Sequence, residues 1–257
     1  MIEAKTQHPS PPAATAPKPH AGGLPWWVEP AVVFVVLGVI GLYVLWAGVL
    51  GGTNYSYQNY VSPFYSPLIL LKFWPFSPAI LVMWIPAGLR LSCYYYRKEY
   101  YRAFFWDPPA CAIGELKFKK HRYQGETVFP YILTNLHRFF LYGSIVVLIF
   151  LWRDTVVGFI FDGHFGIGLG SLFLLASVVA LTFFTVSCHS FRHAVGGCVD
   201  CFAQVAGGKT RHGIWSRISQ FNEHHGAWAW TSLFLVSAAD LYVRLVAGGV
   251  IHDLRFF

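Results

Sequence analysis

Two cysteines and two histidines, Cys93, Cys188, His137 and His225, are each carried on a different apolar stretch of the chain. Two thiols with two imidazoles form a soft-to-borderline donor set, suited to zinc or to an iron–sulfur centre, and the histidines alone could ligate haem iron. Zinc sites normally draw on closely spaced pairs such as C-x2-C and H-x3-H, which one ligand per stretch matches poorly. A Rieske-type [2Fe–2S] centre takes two cysteines on one iron and two histidines on the other, so ligands converging from separate helices suit it. A b-type haem needs only two facing histidines, and His137 with His225 could supply them. A lone cysteine on an apolar helix is ordinarily a packing residue, and a histidine near a membrane surface is ordinarily a polar contact. Four such residues at one depth weigh against that reading.

The elements that must bring them together are membrane helices. The 257 residues are 55% hydrophobic and 18% aromatic but only 12% charged, against about 25% charged in soluble domains. A helix needs about 20 mostly apolar residues to cross the hydrocarbon core. Five stretches qualify, at about 29–50, 78–96, 131–152, 166–188 and 226–247. The expected fold is an all-α bundle of five transmembrane helices, residues 29–257 forming one anchor domain, and no internal repeat is visible in the sequence. Residues 1–28, with the Pro/Ala-rich run PSPPAATAPKP, read as a disordered tail and lack the pattern of a cleavable signal.

Lysine and arginine set the orientation, because cytoplasmic loops retain them. Residues 1–28 hold two, 97–130 seven and 189–225 four, thirteen in all, while the opposite side has only Lys72, Arg153 and Arg255. The N-terminus is therefore expected in the cytoplasm. Topology accounts for the net charge of +7, so nucleic acid is not an expected partner. Spans two and four then end at the cytoplasmic face, spans three and five begin there, and the four candidate ligands share one depth.

Other groups compete for attention. In CHSFRHAVGGCVDC, Cys198 and Cys201 have the spacing of a metal knuckle but no second pair nearby, and Cys111 sits in a loop after Pro108-Pro109. His164 and His252 are the only histidines on the outer side and fall at helix ends, so a second haem there has no ligands. Asp240 and Arg244 are four apart on one helix face, and with Arg90 they could form a buried triad. That triad would fix helix register, or serve a transporter, although broken helices and inverted repeats, which would support transport, are not evident. The run from Tyr94 to Arg102 has the composition of an interfacial anchor and of a basic docking surface.

The segments SCYYYRKEYYRAFFWDPP, ILTNLHRFFLY, SCHSFRHAVGG and FNEHHGAWAWTSLFLVSAADLYVRL resemble the membrane-anchor subunit of succinate dehydrogenase and fumarate reductase, the succinate:quinone oxidoreductases. The resemblance covers spans two to five and is to the single-subunit, five-helix cytochrome b-type anchor in an actinobacterial-type branch. It implies a bacterial plasma-membrane protein, not catalytic alone, that holds a flavoprotein and an iron–sulfur subunit on lipid and passes electrons to quinone. Such anchors carry one or two b-type haems. The presence of Cys93 and Cys188 here favours a membrane-embedded Rieske-type cluster held by Cys93, Cys188, His137 and His225, with His189 and His193 in reserve and haem b as the alternative. Asn135, Arg138 and Ser187 are the expected supports of the ligands. Quinone would draw its donors from Arg138, His189, Ser190, Arg192 and His193, the dense polar set at the inner ends of spans three and four.

Overall fold

A computed structural model describes residues 25, 27–105, 131–197 and 199–256. The expected tail up to residue 24, residues 106–130 of the first inner loop with Cys111, and Cys198 lie outside the described residues.

Among the described residues, four helices are long and apolar enough to cross a membrane. They are α1 (Val28–Leu45), continued by a π-helical turn Trp46–Leu50; α4 (His137–Val157), entered through a 3-10 turn Tyr131–Leu136; α5 (Leu169–Val186); and α8 (His225–Ala247). The chain is an integral membrane protein. The expected span 78–96 is instead broken. Its helix α2 (Ile80–Ser92) has 13 residues, about 20 Å of rise against a hydrocarbon core of roughly 30 Å. It ends at Cys93, whose ψ of 131° is extended, and a separate helix α3 (Tyr94–Tyr100) follows.

An order of elements unseen in the sequence recurs twice. An antiparallel hairpin, β1 (Ser56–Tyr57) with β2 (Tyr60–Val61), precedes α2, α3, a π-helical turn Tyr101–Phe105 and α4. A second hairpin, β3 (Ile160–Phe161) with β4 (His164–Phe165), precedes α5, the short α6 (His189–Arg192), a π-helical turn His193–Gly197, the amphipathic α7 (Gly208–Glu223) and α8. The second hairpin turns on Asp162-Gly163, both at positive φ, the pairing that suits the twist of a two-residue turn.

Helices α5 and α8 pack most extensively against each other. Their buried faces carry Gly170, Ser171, Ser177 and Ala180 opposite Ala229, Ser232 and Ala239, and such small residues let backbones approach closely within a membrane. Helix α1 keeps Val32, Val35, Val39 and Leu42 on the outside, an apolar face suited to lipid.

The buried charges do not form the expected triad. Asp240 accepts hydrogen bonds from Tyr43, Ser62 and the Arg244 Nε, the last at 2.8 Å. Arg244 also donates to the carbonyls of Gly51 and Ala47 at 2.8 and 2.7 Å, beside the π-helical turn that ends α1. Arg90 is elsewhere, donating to Tyr96 Oη at 2.6 Å, Ala229 O at 3.0 Å and Ser232 Oγ at 2.9 Å. Ser232 and Asp240 are eight residues apart on α8, about 12 Å along its axis, which separates the two arginines. The Asp240–Arg244 pair is thus a satisfied staple between α8 and the end of α1.

Candidate metal centre

Both cysteines occupy the same local structure. Helices α2 and α5 each end in a Ser-Cys dipeptide, Ser92-Cys93 and Ser187-Cys188, and each cysteine is extended, with ψ of 131° and 136°. Each then stands at the N-cap of a short helix, α3 or α6, with no side-chain hydrogen bond to the cap. The break leaves the first N–H groups of each short helix without intrahelical partners.

The histidines enter from the opposite chain direction, at the first residues of α4 and α8. His137 Nε2 lies 3.1 Å from Cys188 Sγ, and His225 Nε2 lies 3.5 Å from Cys93 Sγ. The serines hold the other ring nitrogens: Ser92 Oγ is 3.0 Å from His137 Nδ1, and Ser187 Oγ is 2.7 Å from His225 Nδ1. Each serine thus grips the histidine of its own half, while each cysteine meets the histidine of the other half. Cys93, Cys188 and His225 are each 2% exposed, and His137 is partly buried. The His225 ring stacks on Phe184 with 5.0 Å between centroids and faces Tyr95 at 5.3 Å.

The four ligands expected from the sequence are thus brought together, but as two Cys–His pairs. Among the described residues, no three His, Cys, Asp or Glu side chains form a group able to hold one metal ion. That argues against a closed mononuclear zinc site, where four ligands converge on one point. Two buried sulfurs, and two imidazoles whose Nδ1 atoms face serine hydroxyls, are the donor set brought together here.

The remaining expectations fare unevenly. Of the proposed supports, Ser187 is in place; Ser92 was missed, although the repeated Ser-Cys dipeptide is its signal in the sequence. Ser190, expected to face quinone, hydrogen-bonds Cys188 instead. Arg192 donates to Ser219 Oγ at 2.8 Å and lies over the Trp215 ring. Arg138, His189 and His193 are exposed, and the rings of His189 and His193 meet edge-on at 4.6 Å. Partial desolvation of its ring, then the charges of His193 and Arg192 beside it, hold His189 below the usual histidine range. Part of the aromatic-basic run faces inward, with Tyr96, Arg97 and Tyr101 buried, while Tyr94 and Lys98 are exposed. Cys201 is exposed in a loop and has no part in the site. A cavity of about 330 Å³ opens near His225, lined by Tyr95, Tyr96, Lys98, His224 and Trp230 among others.

Residues 28–249 match the family model described as actinobacterial succinate dehydrogenase subunit SdhC. The chain is also similar in structure to a chain of the Mycobacterium smegmatis Sdh1 complex in the apo form. That match has a TM-score of 0.80 and 33% sequence identity over 96% of this chain and 98% of that one. No curated protein matches it. The chain belongs to the family of actinobacterial succinate dehydrogenase SdhC subunits.

Proposed function

We propose that this subunit anchors the flavoprotein and iron–sulfur subunits of a succinate:quinone oxidoreductase to the membrane and passes their electrons through a buried metal centre to quinone. The observation that carries this reading is the crossed set of contacts joining Cys93 to His225 and Cys188 to His137. A subunit of this kind is part of an enzyme without being catalytic alone. Succinate oxidation resides in the soluble partners, and this chain supplies lipid attachment and the exit route.

The group proposed is a Rieske-type [2Fe–2S] cluster, which when bound would carry one electron at a time at a potential raised by its imidazole ligands, although the contacts pair each cysteine with a histidine rather than like with like. Haem b fits less well, since each Nε2 already faces a cysteine sulfur. Cys93 and Cys188 would provide the sulfurs, each buried where a helix breaks. His137 and His225 provide imidazoles, and the packed bundle around His225 excludes water. The bias of thirteen basic residues to one side supports a cytoplasmic N-terminus and puts the centre near the cytoplasmic face of the plasma membrane. Quinone then docks beside the less buried ligand, His137, where Arg138, His189 and His193 offer exposed donors.

The test is spectroscopic. The purified complex should give, on reduction, an EPR signal whose average g lies below the free-electron value, with iron and acid-labile sulfide beyond what the soluble subunits hold. A Soret band with b-type visible peaks, in place of that signal, would assign haem and overturn the cluster.

A further inference from the structure

We infer that Ser92 and Ser187 are positioning residues that fix both histidines as the Nδ1–H tautomer, so that both Nε2 lone pairs are aimed into the centre. The inference rests on the metal reading above and adds to it which nitrogen binds and what decides that.

Acceptor counting assigns the protons. A serine hydroxyl has one hydrogen. Ser92 Oγ lies 2.6 Å from the carbonyl oxygen of Gly88, which can only accept, so the Ser92 hydrogen is directed there. The contact between Ser92 Oγ and His137 Nδ1 must then be closed by a hydrogen on the ring. In the second half Ser187 Oγ lies 3.2 Å from Phe184 O and 2.7 Å from His225 Nδ1, and the match with the first half assigns the donated hydrogen to the ring. Asn222 donates to the Ser187 carbonyl at 2.7 Å, which ties that residue to α7. In both halves the order is helix carbonyl, serine hydroxyl, imidazole Nδ1, with Nε2 turned to a sulfur. A neutral imidazole has one lone pair to give a metal, and the hydrogen bond at its other nitrogen decides which.

The halves should not respond alike. The His225 ring is fully buried between Phe184 and Tyr95, so packing still orients it when its hydroxyl partner is lost. His137 is partly buried and has no flanking aromatic ring among the described residues, so Ser92 bears more of its positioning.

The experiment compares S92A, S187A, S92T and S187T in the assembled complex. The readouts are succinate oxidation with a soluble acceptor, cluster iron remaining after timed chelation, and the EPR line shape of the membrane centre. Retained soluble-acceptor activity reports assembly. The inference expects S92A to lose cluster iron about tenfold faster than wild type, the lower end of the effect seen for outer-shell partners of metal-binding histidines. S187A should lose it less rapidly but show an altered line shape, and the threonine variants should return toward wild type because they restore the hydroxyl. Wild-type retention and line shape in both alanine variants would overturn the inference while leaving the metal reading intact. Threonine variants no better than alanine would also overturn it, by pointing to volume rather than the hydrogen bond. A wild-type complex without any membrane metal centre would instead defeat the reading on which it rests.

Discussion

The halves 56–157 and 160–247 use the same sequence of devices, a hairpin on one side and a Ser-Cys helix break paired with a histidine-led helix on the other, yet they seal their imidazoles very differently. His225 is 2% exposed and clamped between two rings, whereas His137 remains partly open beside exposed Arg138, His189 and His193. The first half breaks its entry helix after 13 residues, while the second keeps 18 before Ser187. The second half alone holds the Asp240–Arg244 pair. The lesson is a division of labour within one repeated design: on the proposed reading, the second half would hold the centre and the first half would give access to it.

The severest way to break this comparison is to remove a sulfur. Because the contacts cross between halves, C93S and C188S should each abolish the membrane metal signal and quinone reduction, a hydroxyl being a poor ligand for a soft site. Succinate oxidation with a soluble acceptor should persist. Normal metal content and quinone reduction in both variants would show that the cysteines only pack. Next comes the second half's rigidity. R244A leaves Asp240 buried without its ionic partner, which costs about 3–5 kcal/mol when such a pair is broken. The complex should therefore melt at clearly lower temperature, and an unchanged melting point would remove the staple from the account.

Access through the first half is tested by R138A and H193A, each expected to slow quinone reduction about tenfold, the scale of one lost hydrogen bond to substrate, while soluble-acceptor activity stays. If both leave quinone reduction untouched, the site belongs at the cavity walled by Tyr95, Tyr96 and Trp230 on the His225 side, and the comparison inverts. The smallest effect concerns the outer end. Tyr60 is fully buried and donates to Asp253 at 2.9 Å, with Ser171 Oγ at 3.3 Å. Y60F should cost on the order of 1 kcal/mol, read as a small drop in thermal stability with the metal signal unchanged. A change in that signal would mean that the hairpins are coupled to the centre.

Much of this was legible in the residues because membrane burial constrains composition so tightly. Four of the five expected spans are long apolar helices among the described residues, and the four metal-capable side chains expected at one depth meet as two Cys–His pairs. What escaped reading had physical reasons. The end of α2 is dictated by Cys93 adopting an extended conformation, which no hydropathy window registers. The repeat is one of conformation, since Ser92-Cys93-Tyr94 and Ser187-Cys188-His189 share only the dipeptide at the break. Ser92 was overlooked because a serine at a helix end ordinarily bonds back to its own helix, as its 2.6 Å contact with Gly88 O also does. Ser190 and Arg192, placed with quinone from sequence proximity alone, turn to Cys188 and to α7. Arg90 could not be separated from Asp240 without knowing how α2 and α8 are staggered.

The crossing of the two halves has a consequence for how the subunit is made. A chain emerging from the ribosome presents Ser92, Cys93 and His137 first, and none of these meets its sulfur or imidazole counterpart until the later half is in the membrane. His225 opens the last helix to be inserted. On the proposed reading, metal capture would wait until α8 is in place, and a chain halted before it would lack the His225 that meets Cys93.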